Sequence, residues 1–488
     1  MKISPKFDEV KKIAATGNYK VLPVSLEILA DFITPIETMK ILKNVSNRCY
    51  MLESAQNNVA WGRYTFLGFD PKLEITCIDD ELQIGNTKVK TNQPANYLRQ
   101  ILKEYKSPRF DYLPSFTGGL VGYFSYDYFK YDEPTVKNEI EDKEKLKDLD
   151  LMLFDKVIAF DHFYQKIILI VNMSLENIDV NYNKAVVELK QLVELLKSGK
   201  KNDNSPGKLL GKTELLLNKK QFCKMVEKAK HYINEGDIFQ IVLSNYLSAP
   251  FKGSLLNTYR TLRTINPSPY MFYFSNNDVE IAGASPETLV KLEKDKLYTF
   301  PLAGTRKRGK TEIEDQKIAA NLLKDEKELA EHNMLVDLGR NDLGKVCKFG
   351  SVQVEKLHSI ERFSHIMHIG STISGKIRDN YDALDAIAAL LPAGTLSGAP
   401  KIRACQLINK LENNKRGIYG GAIGYIDFNG NMDTCIAIRL IYKKNGKVFI
   451  RSGAGIVANS VAEKEFEECL NKAKSSFKAL MLTKEVIV

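Results

Sequence analysis

Short runs of apolar and β-branched residues recur along the chain without alternating regularly with helical segments. The runs comprise residues 73–78, 157–160, 166–171, 238–243, 270–274, 279–282, 422–428 and 447–451. Such runs are typical of β-strands when turn-forming residues bound them. A parallel α/β sheet would require a helix after almost every strand. The sequence therefore predicts an α+β fold with large sheets.

Helical spacing is clear in two further segments, and a polar stretch separates two regions of the chain. The apolar stripes are Phe222, Val226, Ala229 and Ile233, and Phe466, Leu470, Ala473, Phe477 and Leu480. Residues 196–213 are rich in Lys, Asn, Gly and Ser, which is typical of an exposed connector. We therefore divide the 488 residues into an N-terminal region (1–200), a linker (201–213) and a C-terminal region (214–488).

Composition excludes several classes of protein. Apolar runs stay far below the roughly 18 residues that a membrane span needs, and the first twenty residues lack a signal-like apolar core. We therefore expect no membrane segment and a cytoplasmic location. The net charge of +10 is dispersed among acidic residues, which disfavours nucleic-acid binding. The seven cysteines show no C-x-x-C spacing and are interpreted as reduced packing residues.

Two Glu-x-x-Glu pairs stand out in the C-terminal region: Glu328 with Glu331, and Glu465 with Glu468. Each pair places like charges on one face of a predicted helix, where they repel. Ser460 is expected to begin a capping box at the second helix. Two facing pairs would suit Mg²⁺, which accepts a few carboxylates and keeps room for water and substrate oxygens. The alternative for either pair alone is a solvated helix surface.

Three glycine-punctuated loops are also candidates for the site. They are residues 303–309 (AGTRKRG), 392–401 (PAGTLSGAPK) and 453–455 (GAG). Glycines allow backbone N–H groups to approach an anion closely, although such turns more often only redirect the chain.

The order of these motifs carries the strongest information. AGTRKRG, ELAEHNMLVDLGRNDLG, SHIMHIGSTISG, PAGTLSGAPK, the stretch 421–439, SGAGIV and EFEECLNKA follow one another as they do in chorismate-utilising enzymes. The match resembles component I of anthranilate synthase, strongly over residues 214–478 and more loosely before them. This resemblance implies large antiparallel sheets packed as a β-sandwich with helices outside, an αββα arrangement. It also implies a lyase that begins tryptophan biosynthesis from chorismate.

The resemblance implies roles for the charged residues. Glu331 and Glu468 would bind Mg²⁺ directly, while Glu328 and Glu465 would hold its waters. The cation would grip the ring carboxylate of chorismate. Two further residues, Arg439 and Tyr419, would bind the enolpyruvyl carboxylate, which suits the fork of an arginine. The remaining substrate-pocket residues would be Gly304, Thr305, Gly453, Ala454 and Gly455. For Arg439 the alternative is a buried structural ion pair.

The resemblance also implies catalytic residues. Glu287, in the motif Ala-Ser-Pro-Glu, would be the general acid that protonates the departing hydroxyl group. His368 would serve the loss of pyruvate, and Thr305 would line the reacting centre. The alternatives are a satisfied core histidine for His368, and confusion with His365 three residues earlier.

A few positions discriminate between related reactions. Gln240 stands where isochorismate and salicylate synthases carry a water-activating lysine, and an amide cannot act as that base. Ala303 stands where aminodeoxychorismate synthases usually carry a nucleophilic lysine. Both positions favour an anthranilate synthase. The alternatives are component I of aminodeoxychorismate synthase and a non-catalytic regulatory protein.

Partners and regulation follow from the same resemblance. No glutaminase signature is present in this sequence, so ammonia is expected from glutamine through a separate glutamine amidotransferase subunit, component II. Tryptophan is expected to inhibit through a pocket far from the metal. The residues of that pocket would be Glu53, Ser54, Pro269, Tyr270 and Met271. The alternative for Tyr270 and Met271 is a plain strand.

Overall fold

The computed structural model describes residues 2–54, 62–136, 140, 142, 144–202, 206–362 and 366–483. The helices are α1 (Phe7–Ala14), α2 (Pro35–Val45), α3 (Pro94–Glu104), α4 (Ile178–Ser198), α5 (Lys219–Asn234), α6 (Leu256–Ile265), α7 (Glu312–Leu322), α8 (Glu326–Gly344), α9 (Ala383–Leu390), α10 (Lys401–Glu412) and α11 (Ala462–Leu482). Short 3₁₀ turns span Tyr126–Tyr131 and Gly394–Leu396.

The strands are short and numerous, as the recurring apolar runs predict. They are β1 (Ile3–Ser4), β2 (Val21–Leu29), β3 (Cys49–Glu53), β4 (Tyr64–Phe69), β5 (Leu73–Ile78), β6 (Glu81–Ile84), β7 (Thr87–Lys90), β8 (Gly119–Phe124), β9 (Leu149–Phe154), β10 (Lys156–Asp161), β11 (Lys166–Ser174), β12 (Lys208–Leu209), β13 (Glu214–Leu215), β14 (Gln240–Lys252), β15 (Tyr270–Ser275), β16 (Val279–Ser285), β17 (Thr288–Glu293), β18 (Lys296–Thr299), β19 (Leu302–Lys307), β20 (Gln353–Arg362), β21 (Ile366–Lys376), β22 (Gly398–Ala399), β23 (Ala422–Asp427), β24 (Met432–Ile436), β25 (Leu440–Lys444) and β26 (Lys447–Ile456).

The strands of the described residues form two large sheets. The first has 14 strands in the order β1-β2-β11-β10-β4-β3-β15-β16-β25-β26-β14-β12, with β13 and β22 also pairing with β14. The second has 12 strands in the order β19-β21-β18-β17-β24-β23-β8-β9-β5-β6-β7, with β20 pairing with β21. Neighbouring strands pair antiparallel, as in β14 with β26 and β8 with β23. The predicted α+β class is therefore confirmed.

The two sheets pack face to face, and helices cover their outer faces. An aromatic core that includes Tyr50, Phe154, Phe274 and Tyr425 draws on strands of both sheets. A second core joins the first sheet to α2, α4, α6 and α11, and a third joins the second sheet to α3, α8 and α9. Alternate side chains of each strand thus reach the sandwich interior or the helix layer. This is the expected αββα arrangement.

Both sheets cross the boundary predicted between residues 200 and 214. In the first sheet β3 pairs with β15, and in the second β8 pairs with β23. Strand β12, within the predicted linker, pairs with the end of β14. The N-terminal and C-terminal regions therefore share their sheets and cores.

Two further expectations concern the cysteines and the membrane. All seven cysteines are free, and six of them are buried, which confirms that they pack as thiols. Among the described residues, no helix combines the length and the apolar composition of a membrane span.

Candidate active site

A cavity of about 930 Å³ lies where the ends of the two sheets approach each other. Strands β14 and β26 of the first sheet, strands β19 and β21 of the second sheet, and helices α8 and α11 contribute its walls. Every lining residue comes from position 239 or later. Among the described residues, the predicted C-terminal region therefore supplies all of the lining of the cavity.

This cavity gathers almost all of the predicted catalytic, substrate and metal residues. Those that line it are Gln240, Glu287, Gly304, Thr305, Glu328, Glu331, His368, Tyr419, Arg439, Gly453, Gly455, Glu465 and Glu468. Ala454 does not line it, because the alternation of strand β26 turns this residue into the core beside α5 and α10. The five residues of the predicted inhibitor pocket also lie elsewhere.

The two carboxylate pairs lie on different helices that border the cavity, α8 and α11. Glu328 forms an ion pair with Arg306 at 3.0 Å, and Glu468 forms one with Lys472 at 2.6 Å. Glu331 and Glu465 form no ion pair with any described residue. Burial is the main cause that raises the pKa of each, and a neighbouring carboxylate adds to the rise.

The carboxylates face one space without forming a closed ligand set. In the described part of the chain, no group of three or more His, Cys, Asp or Glu side chains is arranged to hold a metal ion. Two separate oxygen-donor pairs with unbalanced charge nevertheless suit a hard cation that takes some of its ligands from water and substrate. The division of the four into direct and indirect ligands stays a prediction.

Helix α11 begins one residue later than predicted, so the capping box at Ser460 is wrong. Its N-cap is Val461, which makes no side-chain capping bond. The hydroxyl of Ser460 instead accepts a hydrogen bond from the Val457 amide at 3.1 Å and contacts the Glu465 carboxylate. The serine thus closes the turn before the helix and supports a carboxylate of the cavity.

Arg439 projects into the cavity from the connection between β24 and β25. Its backbone φ is +53°. This conformation is energetically unfavourable for residues other than glycine, and residues that adopt it are concentrated at functional sites. Nη1 donates to the Lys472 carbonyl oxygen at 2.6 Å, and burial lowers the pKa of the guanidinium. No described residue forms an ion pair with Arg439. The structure therefore argues against the alternative of a structural ion pair.

Glycines bring the backbone of β26 close to the polar side chains of the cavity. A Cβ on Gly453 would lie 2.9 Å from the hydroxyl oxygen of Tyr419, and one on Gly455 would lie 2.9 Å from Gln240 Nε2. Larger residues at either position would displace these groups. The glycine-rich loop is therefore part of the site.

A bulge in β19 aims Thr305 at His368 on β21. The register shifts between Ala303 and Thr305, and the extra residue, Gly304, has a φ of +64°. Thr305 Oγ1 then lies 3.1 Å from His368 Nδ1. Burial lowers the pKa of His368, against a hydrogen bond that the ring donates to the Gly304 backbone, which raises it. The lowered pKa favours the neutral ring, which is the form that a base needs. The other candidate, His365, lies outside the described residues.

Glu287 lies at the junction of β16 and β17, on the wall of the cavity. The Thr395 hydroxyl donates to its Oε1 at 3.1 Å, and burial raises the pKa of the carboxyl to about 7. A carboxyl group with this pKa is partly protonated at neutral pH and can donate a proton. Thr395 comes from the PAGTLSGAPK loop, so the third predicted glycine-rich loop also reaches the site.

The predicted inhibitor residues lie together on two paired strands of the first sheet. Glu53 of β3 is opposite Met271 of β15. The Glu53 carboxylate accepts hydrogen bonds from the Tyr259 hydroxyl and from Arg263 Nη2, the latter at 3.0 Å. Ser54 follows β3, and buried Pro269 precedes β15.

Tyr270 connects this strand pair with the second sheet. Its hydroxyl donates to Asp433 Oδ1 at 2.8 Å and lies 2.9 Å from Thr288 Oγ1. Thr288 follows Glu287 directly in the chain. A hydrogen-bonded contact therefore links the predicted inhibitor residues to the neighbour of the candidate acid.

Comparison with known proteins agrees with this geometry. Residues 47–478 match the family model described as chorismate binding enzyme. Anthranilate synthase component 1 of Acetivibrio thermocellus is 45% identical over 98% of each chain, and that of Aquifex aeolicus is 42% identical over 99% of each. The chain belongs to the anthranilate synthase component 1 family.

A solved structure supports the same family and fold. Anthranilate synthase component I from Streptococcus pneumoniae TIGR4 is 36% identical and superposes with a TM-score of 0.78, covering 92% of this chain and 98% of that one. The resemblance drawn from the ordered motifs is thereby confirmed. Like its family, this chain is an enzyme of the lyase class.

The fold of this family member also contains a buried charge network that the sequence did not reveal. Glu412 accepts hydrogen bonds from Arg416 Nη2 at 2.6 Å and from Arg451 Nη2 at 3.0 Å. Arg451 Nε also donates to Ser244 Oγ at 2.9 Å. Arg451 lines the cavity, while the Arg416 guanidinium packs over the Tyr126 ring at 4.5 Å and over the Tyr419 ring at 5.9 Å. The network therefore supports the buried side of the cavity, next to the predicted substrate-binding residue Tyr419.

Lys472 was also missed. It lines the cavity, pairs with Glu468, and offers its carbonyl oxygen to Arg439. Its position one helical turn after Glu468 is the signal in the sequence, because an i,i+4 Glu–Lys pair shares a helix face.

Proposed function

We propose that the chain catalyses the Mg²⁺-dependent conversion of chorismate and ammonia into anthranilate, pyruvate and water, the first committed step of tryptophan biosynthesis. The observation that carries the proposal is the convergence of Glu287, His368, Arg439 and the two carboxylate pairs on one cavity. Gln240 and Ala303 on the same walls lack the amines that the competing water and 4-amination chemistries would use.

Binding would rest on charge complementarity. Chorismate carries two carboxylates. The Arg439 fork, which pairs with no carboxylate of the described residues and lies beside Tyr419, suits the enolpyruvyl one. Glu331 and Glu468 would hold Mg²⁺ directly, and Glu328 and Glu465 would hold it through water. When bound, Mg²⁺ supplies positive charge for the ring carboxylate.

The reaction would proceed in two steps. Ammonia forms a bond to ring C2 while the C4 hydroxyl group departs as water with the proton of Glu287, and the new ammonium group then returns one proton to the Glu287 carboxylate. His368 then removes the proton from C2, the bond from C3 to the enolpyruvyl oxygen breaks, and the released enolpyruvate takes up this proton and becomes pyruvate. The neutral His368 ring and the raised pKa of Glu287 suit these opposite tasks.

The ammonia source and the inhibitor belong to the same proposal. A separate glutamine amidotransferase subunit would supply ammonia from glutamine, and free ammonium would replace it at high pH. Tryptophan would bind beside Glu53, Ser54, Pro269, Tyr270 and Met271 and weaken chorismate binding.

The test is an assay of the purified chain with chorismate, MgCl₂ and ammonium, followed by anthranilate fluorescence and product chromatography. We expect anthranilate and pyruvate in equal amounts, and loss of both when EDTA is added. Isochorismate or 4-amino-4-deoxychorismate as the product would overturn the assignment.

A further inference from the structure

A single arginine joins the first turn of α8 to strand β19. Arg306 Nη1 donates to Glu328 Oε1 at 3.0 Å, and Nη2 donates to Asp325 Oδ2 at 2.8 Å. Nη1 also donates to the carbonyl oxygen of Thr305 at 2.9 Å. Asp325 is the N-cap of α8, and its side chain accepts the Glu328 amide. The guanidinium therefore ties a cavity carboxylate, a helix cap and the bulged strand together.

The second carboxylate oxygen of Glu328 lies against the bulge. A Cβ on Gly304 would be 3.2 Å from Glu328 Oε2, and the glycine has a φ of +64°. A side chain at position 304 would therefore crowd this oxygen. The carboxylate is held on one side by Arg306 and bounded on the other by the backbone of β19.

Glu328 and Glu331 thus differ although they share a helix face. The charge of Glu328 is compensated by Arg306, whereas Glu331 forms no ion pair with a described residue. A cation that bound Glu328 directly would have to compete with a guanidinium that Asp325 and the Thr305 carbonyl oxygen also hold in place, unlike the single ammonium of Lys472 that pairs with Glu468. The same cation meets no such competition at Glu331.

We propose that Arg306 is a positioning residue that keeps Glu328 from binding the cation directly and leaves that task to Glu331. The inference rests on the Mg²⁺ site proposed above. Loss of the guanidinium removes a positive charge beside Glu328, a residue that lines the cavity, and frees Glu328 to bind the metal. The cation would then bind more tightly but in a displaced position, so affinity and turnover would move in opposite directions. A purely structural arginine would not produce that signature.

The experiment is calorimetric titration of the full chain with MgCl₂ in the absence of chorismate, together with turnover at saturating Mg²⁺. In Arg306→Gln we expect the Mg²⁺ Kd to fall roughly fivefold, because one repulsive charge is lost. Turnover should fall at least about tenfold, because the bound substrate is misplaced. For Arg306→Lys, the Mg²⁺ Kd and the turnover should lie between those of the wild type and Arg306→Gln, since an ammonium keeps the charge but cannot bridge two carboxylates. Arg340→Gln is the control, because Arg340 pairs with Asp337 on the same helix outside the cavity.

The outcomes separate the inference from the metal site itself. If Arg306→Gln binds Mg²⁺ equally or more weakly while the wild-type chain binds it normally, only the role of Arg306 is overturned. If the wild-type chain binds no Mg²⁺, the metal site is overturned and this role with it. Should Arg306→Gln fail to fold, Arg306→Lys carries the test, and the same opposed changes on a smaller scale support the inference.

Discussion

Two regions of the molecule hold acidic residues in opposite ways. In the cavity between α8 and α11, Glu331 and Glu465 form no ion pair with a described residue, and burial raises the pKa of both. Beside β3 and β15, Glu53 is already held by Tyr259 and Arg263. The cavity carries charge that a ligand must compensate. An ammonium group of a ligand at Glu53 would have to share this carboxylate with Tyr259 and Arg263 or displace them. Such an exchange of partners suits a regulatory site more than a catalytic one.

The largest effect is expected at His368, the cavity residue proposed to remove a proton from the substrate. In His368→Ala the second step loses its base, so anthranilate formation should fall on the order of a thousandfold. The amino-cyclohexadiene adduct should accumulate and can be followed by chromatography. His231→Ala, an exposed histidine on α5, is the matched control. Normal release of anthranilate by His368→Ala would show that the base lies elsewhere.

Glu287→Gln should lower turnover by about a hundredfold, because the amide cannot donate an acidic proton. The pKa of the Glu287 carboxyl is about 7, so wild-type activity at constant free ammonia should decline as pH rises above that value. The variant should lack this decline. A wild-type profile that stays flat from pH 6 to 8 would remove Glu287 from the role of acid.

The same substitution separates function from stability. The folded pKa of Glu287 is raised above its usual 4.5, so the folded state binds the proton more tightly than the unfolded state. Its contribution to the free energy of unfolding therefore falls as pH rises from about 4.5 to 7. At pH 8 Glu287→Gln should be more stable than wild type by about 1–3 kcal/mol, and at pH 4 the two should agree. Urea unfolding at both pH values measures the difference.

Glu468→Gln should raise the Mg²⁺ concentration for half-maximal activity by about ten- to a hundredfold, because a direct ligand loses its charge. Glu467→Gln is the matched control, since Glu467 is a neighbouring exposed carboxylate paired with Lys219 outside the cavity. An unchanged requirement in Glu468→Gln would exclude direct ligation. That result would also favour Glu331 and Glu465, which form no ion pair with a described residue, as the direct ligands.

Local patterns predicted the fold well because strands and helices are encoded locally. The run 73–78 is strand β5, and the stripe from Phe222 to Ile233 lies on α5. Register is not local, so the pairing of β3 with β15 and the sheets shared across residue 200 were not evident. The bulge at Gly304 was also not predictable, because a single extra residue in a strand produces no recognisable pattern of apolar and polar residues.

The site was predictable where ordered motifs named its residues. Distant partners such as Glu412 with Arg451 and Tyr270 with Asp433 were not, because residues 39 and 163 positions apart meet only after the sheets form. The Ser460 cap failed for a local reason: its hydroxyl bonds the Val457 amide, so the helix starts later. A capping sequence predicts the approximate start of a helix more reliably than its exact first residue.

The smallest effect is expected where the two regions meet. Tyr270 contacts Thr288, the neighbour of Glu287, so Thr288→Val should weaken the coupling between tryptophan and chorismate without removing a predicted inhibitor contact. We expect about a threefold rise in the tryptophan concentration for half inhibition. The affinity for tryptophan without chorismate should stay near wild type, because no predicted inhibitor contact is removed. The effect of chorismate on that affinity should shrink, because coupling is reciprocal. Thr288→Ser keeps the hydroxyl and should behave as wild type. If Thr288→Val is inhibited as strongly as Thr288→Ser, inhibition does not depend on the Tyr270–Thr288 contact, and the strand pair must reach the cavity by another route.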